Sequence, residues 1–133
     1  MTQGMIADRA RQAYQVNQVQ MEDPLGLVIR LYDGMLMFLR RAAELLVEGN
    51  RSAAAEPIRR AADIIGELQA VLNLEDGGEV AYNLDRIYSY CRKRVMESHL
   101  QADDTGLSEI VRLLTPLRDA WVEARAKQLG LPR

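Results

Sequence analysis

The sequence predicts an all-α protein, an antiparallel four-helix bundle with a short N-terminal capping segment. Three observations carry that expectation. Apolar residues recur at steps of three and four along four long segments, the period of helix faces packed at a shallow angle. Gly, Asn, Ser and Asp stand at the segment ends, where helix stops and starts call for them. The connections are only a few residues long, so successive helices become antiparallel neighbours. No stretch alternates with period two for long enough to compete as a strand.

The first segment opens at Pro24 and closes at Gly49-Asn50, with Leu25, Ile29, Tyr32, Leu36, Leu39, Ala43 and Leu46 as its seam. The second runs from about Ser52 to Asn73 on Ala54, Ile58, Ala61, Ile65, Leu68 and Leu72. A third, from about Glu79 to Leu100, presents Leu84, Tyr88, Cys91, Val95 and Ser98. The fourth, from about Asp104 to Lys127, presents Leu107, Ile110, Leu114, Leu117, Trp121 and Ala124. Pro116 removes the hydrogen bond to Arg112 and is expected to bend that helix without ending it. The expected division is a lid or capping segment over 1–23, the bundle over 24–127 and a tail over 128–133.

Composition narrows the chemistry. The 133 residues are 48% hydrophobic and 27% charged, the balance of one globular domain. Seventeen Lys and Arg face nineteen Asp and Glu, which argues against nucleic acid as a partner because phosphate neutralisation needs a basic surplus. Cys91 and His99 each stand alone. An internal disulfide, a multi-Cys metal site, a di-iron bundle and a haem attachment are thereby excluded. No nucleophile has a His and an acid in reach of a triad. The expectation is no enzyme, no metal and no cofactor. No apolar run approaches a membrane span and no export signal opens the chain, so no membrane insertion is expected and the chain reads as a cytosolic domain.

The first helix carries more apolar surface than one seam uses. Leu27, Leu31, Phe38, Ala42 and Leu45 form a second row with Gly34 at its centre, widened by Met35 and Met37. Either that wide stripe contacts two neighbouring helices, or it forms a hydrophobic groove for another polypeptide. The stretch before Pro24 spaces Ile6, Ala10, Tyr14, Val16, Val19 and Met21 through polar residues. It can lie over the surplus surface as a lid or remain a permanent capping arm. Tyr82, Tyr88 and Tyr90 crowd the third helix; if Tyr88 faces the core, the other two point largely elsewhere, as anchors for a protein partner or as seals at the bundle edge.

Five motifs in register resemble the FliS family of flagellar export chaperones, over residues 13–125. They are Ala13-Tyr14-Gln15-Val16-Asn17-Gln18-Val19, Leu31-Tyr32-Asp33-Gly34, the Gly77-Gly78-Glu79 turn leading to Tyr82-Asn83-Leu84, Ile87-Tyr88-Ser89-Tyr90, and Arg118-Asp119-Ala120-Trp121. The chain departs from the family pattern at Glu22-Asp23, at Cys91 and at Pro116. The resemblance implies a four-helix chaperone of the bacterial cytosol that binds the disordered C-terminal segment of flagellin. It implies that the bound segment is kept from premature polymerisation and delivered to the export gate. On this basis the expected partner-binding residues are Tyr14, Val19, Leu27, Leu31, Gly34, Phe38, Tyr82, Asn83 and Tyr90. The alternative is a structural or regulatory bundle that self-associates through the second row.

Overall fold

A computed structural model describes residues 12–14 and 23–130. Four helices follow one another: α1 (Pro24–Val47), α2 (Arg51–Ala70), α3 (Leu74–Gln101) and α4 (Asp104–Gln128). Each starts where a short polar side chain can satisfy a free backbone N–H. Asp23 accepts from Gly26 N at 2.9 Å, Asn50 from Ala53 N at 3.1 Å, Asn73 from Asp76 N at 2.9 Å and Asp103 from Thr105 N at 3.0 Å. Gly49, at φ 79°, ends α1 by entering the left-handed region.

The helices close into a ring in which α1 packs on α2 and α4, and α3 packs on α2 and α4. Tyr32, Leu39, Ile65, Leu68, Tyr88, Leu107, Ile110 and Leu114 fill the centre, all essentially inaccessible to water. Each such aliphatic side chain contributes about 1.5–3 kcal/mol by leaving water. Two ion pairs tie the first helix to the last. Asp33 accepts from Arg118 Nε at 2.8 Å, and Asp23 takes the Arg125 guanidinium at 2.8 Å and 3.0 Å. Among the described residues no helix is long and apolar enough to cross a membrane.

The seams expected for α2, α3 and α4 are buried with one exception, Leu117, which is half-buried. In α1 the phase differs. Val28, Met35, Ala42 and Leu45 are buried, whereas Ile29 and Ala43 are half-buried. The cause is packing: α1 contacts two neighbours, so its buried stripe is broad and takes in Ala42 and Leu45 of the expected second row. Leu27, Leu31, Gly34 and Phe38 are what remains at the edge, each half-buried. The third helix begins at Leu74 rather than Glu79, because Asn73 caps an extra turn. Gly78, at φ 57° and ψ −138°, separates that turn from the rest of α3. Pro57 lies inside α2 and Pro116 inside α4, and neither ends its helix. Beside Pro116, the Thr115 hydroxyl donates to the Val111 carbonyl at 2.6 Å.

Candidate functional site

At one end of the bundle the short segment Gln12–Tyr14 is seated on the helices. Its first anchor is backbone: Asn73 N donates to the Ala13 carbonyl at 2.7 Å. Its second is the absence of a side chain. A Cβ built on Gly77 would lie 2.8 Å from the Ala13 Cα, too close for any residue but glycine without movement. The third anchor is Tyr14, only 1% exposed. Its ring meets Trp121 of α4 edge to face, with centroids 5.3 Å apart, a favoured aromatic geometry. Its hydroxyl bonds that of Tyr88 on α3, which in turn bonds the hydroxyl of Tyr32 on α1 at 2.6 Å. Three phenols from three parts of the chain thus satisfy one another inside an otherwise apolar end.

Burial makes these phenols hard to ionise. It pushes Tyr32 up to about 12, the bond to Tyr88 offsetting only part of the effect. Tyr14 and Tyr88 are raised as well, first by burial and then by the repulsion that an ionised Tyr32 would exert. A phenol whose folded pKa lies above its unfolded value adds stability that is intact below the unfolded pKa and disappears as pH rises through the folded one. The protein is therefore expected to lose stability in alkali as pH rises above the ordinary tyrosine value of 10.0 and through about 12 for Tyr32. Phenolate absorbance and helical circular dichroism should change together. Ionisation of the trio in an intact bundle would contradict the burial assignment.

The expected partner-binding residues do not form one patch. Leu27, Leu31, Gly34 and Phe38 share a face of α1 by their spacing of 4, 3 and 4. Phe38 lies against α2, where the Arg60 guanidinium sits 5.7 Å above its ring and a shallow hollow of about 250 Å³ is lined by Phe38, Ile64 and charged residues of α2. Gly34 faces the same neighbour, since a Cβ there would meet Ile64 Cδ1 at an ordinary 3.5 Å. Tyr82 is 54% exposed and Asn83 is also exposed. Seven residues along α3, Ser89 receives the Gln69 amide from α2 at 2.7 Å, so Tyr82 sits toward the α2 side. Tyr90, 47% exposed, points to the opposite neighbour and donates to Glu109 of α4 at 2.5 Å. Arg94 shares Glu109 at 3.2 Å and reaches Asp103 at 3.4 Å. Val19 lies outside the described residues. Tyr14 is brought to none of these exposed side chains; it belongs to the buried aromatic end.

Sequence reasoning passed over Tyr32, Tyr88 and Trp121 as ordinary seam residues, and Gly77 as a turn glycine. A usable signal was present in the hydroxyls. Two tyrosines at core positions need polar partners when buried, and Tyr14 is the third phenol that completes the set.

Comparison with known proteins returns a consistent result. The sequence profile described as "Flagellar protein FliS" matches residues 7–128. The chain is 34% identical over 110 residues to the flagellar secretion chaperone FliS of Salmonella typhimurium, covering 82% of each protein. It is 32% identical over 112 residues to that of Bacillus subtilis, covering 84% of this chain and 83% of the relative. The flagellar secretion chaperone FliSB of Pseudomonas aeruginosa is 31% identical over 121 residues, with 88% and 96% covered.

Proposed function

The chain belongs to the FliS family, whose curated relatives are flagellar secretion chaperones, and from that membership we propose that it binds the disordered C-terminal segment of flagellin in the bacterial cytoplasm. Binding there holds the subunit back from premature polymerisation and presents it to the export gate. One observation supports the proposal for this chain: an apolar row on α1, from Leu27 through Leu31 to Phe38, stays only half-buried after the core is complete. A disordered amphipathic tail gains its ordering free energy by laying apolar residues on such a preformed surface. Leu27, Leu31, Gly34 and Phe38 would take the tail on the α1–α2 face, and Tyr82, Asn83 and Tyr90 would take its continuation across α3. The segment 1–23, with Tyr14 and Val19, acts as a lid that the tail displaces.

Calorimetric titration with a flagellin C-terminal peptide tests this directly. Phe38→Asp and Leu31→Asp should each weaken binding at least about tenfold, as loss of an apolar anchor does, read on protein that circular dichroism shows to be folded at the titration temperature, since both half-buried side chains also pack against the core. Unchanged affinity in both variants would refute the row as a tail site. Concentration-dependent self-association abolished by the same substitutions would instead support the self-associating alternative.

A further inference from the structure

The seat of the arm is built from an unusual piece of α3. Its first turn, Leu74–Gly77, is cut off from the long part of the helix by Gly78, whose φ of 57° and ψ of −138° are non-helical. Among the described residues, its backbone is held by hydrogen bonds at its own cap and by the arm, and Leu74 packs on the core. Asn73 accepts from Asp76 N, and Gly77 N donates to the Asn73 carbonyl at 2.8 Å. The arm contributes at both ends of it, through the Ala13 carbonyl on Asn73 N and the Ala13 backbone packed on Gly77.

We propose that Gln12–Tyr14 and the Leu74–Gly77 turn form one cooperative latch hinged at Gly78, so that neither is ordered without the other. When the arm leaves, Asn73 N loses its acceptor and Gly77 its cover, and the turn has a ready pivot. Conversely, a turn drawn into continuous helix with α3 no longer offers Asn73 and Gly77 in the arm's register. Gly78 is the sensitive point. A Cβ there meets nothing within 4 Å, so a substitution alters only the backbone preference. An L-residue resists that left-handed conformation and favours the straight helix. Coupling of this kind is reciprocal by thermodynamic necessity.

Two variants of the full chain, Tyr14→Ala and Gly78→Ala, test the latch without any ligand. The readouts are amide hydrogen exchange of residues 73–77, taken as a ratio to residues 84–95 so that a global stability change cancels, and the emission of Trp121. Tyr14→Ala should raise the exchange ratio about fivefold or more, the factor for one lost hydrogen bond. Gly78→Ala should shift Trp121 emission to the red, although residue 78 touches neither Tyr14 nor Trp121. An unchanged ratio in the first variant, or unchanged emission in the second, overturns the coupling. Flagellin is absent from both measurements, so their failure would leave the tail-binding proposal standing, and its failure would leave the latch.

Discussion

Replacing Tyr14 by Ala is expected to lower the stability of the free protein by about 2–3 kcal/mol, the range for a buried aromatic whose segment can partly relax, while flagellin-tail affinity stays equal or rises. Both halves follow from the same geometry. The ring is sealed against Trp121 and its hydroxyl closes the phenol trio, so its loss weakens the closed form. If the tail must displace the arm, the free energy of that displacement is subtracted from the observed affinity. Denaturant unfolding and titration with the tail peptide, on the same preparation, measure the two effects. A parallel fall in stability and affinity would mean that the arm holds the bound tail rather than competing with it. Tyr14→Phe separates ring from hydroxyl: it keeps the edge-to-face contact and leaves the Tyr32–Tyr88 bond intact, so it should cost far less than Ala.

A larger loss is expected for Trp121→Ala, about 3–5 kcal/mol. Trp121 is 4% exposed, and its ring meets two members of the trio, Tyr14 at 5.3 Å and Tyr32 at 6.3 Å. Truncation opens a cavity between α1 and α4 and unseats the arm at once. Urea unfolding should show the reduced midpoint. Combining this change with Tyr14→Ala should cost clearly less than the sum of the two, because residues in contact do not add. Strict additivity would mean that the ring contact contributes nothing.

Helix count, order and direction were legible in the sequence because long periodic segments with capped ends leave few arrangements. Asn50 and Asp103 stand ahead of the second and fourth segments in the letters alone, and the structure uses each as a cap; Asn73, read as the end of the second segment, instead caps the third helix ahead of its expected start at Glu79. The α1 stripe was read less well. Met35 and Leu45 look like surplus in a one-sided helix, yet both are buried, because contact with two neighbours widens what counts as inside. The aromatic end was legible only in part. Periodicity places Tyr32, Tyr88 and Trp121 in the core but carries no information on which hydroxyl meets which. Pairing Tyr14 with Tyr88 spans 74 residues of sequence, and no local pattern encodes such a contact. Nor does a Gly-Gly pair reveal which glycine admits a neighbouring backbone and which one turns the chain.

Phe38 and Tyr90 lie on opposite sides of the ring of helices, one between α1 and α2, the other between α3 and α4. Helices of about 10 Å diameter packed at about 10 Å spacing put those sides roughly 40 Å apart along the surface by way of Tyr82. A polypeptide touching both must span that girth, about 12 residues if extended or about 25 if helical. Any shorter ligand engages one side alone. Once one side is engaged, the tether holds the remaining residues near the other at an effective concentration in the millimolar range. Affinity should therefore climb steeply, rather than in proportion to length, as the ligand passes that threshold.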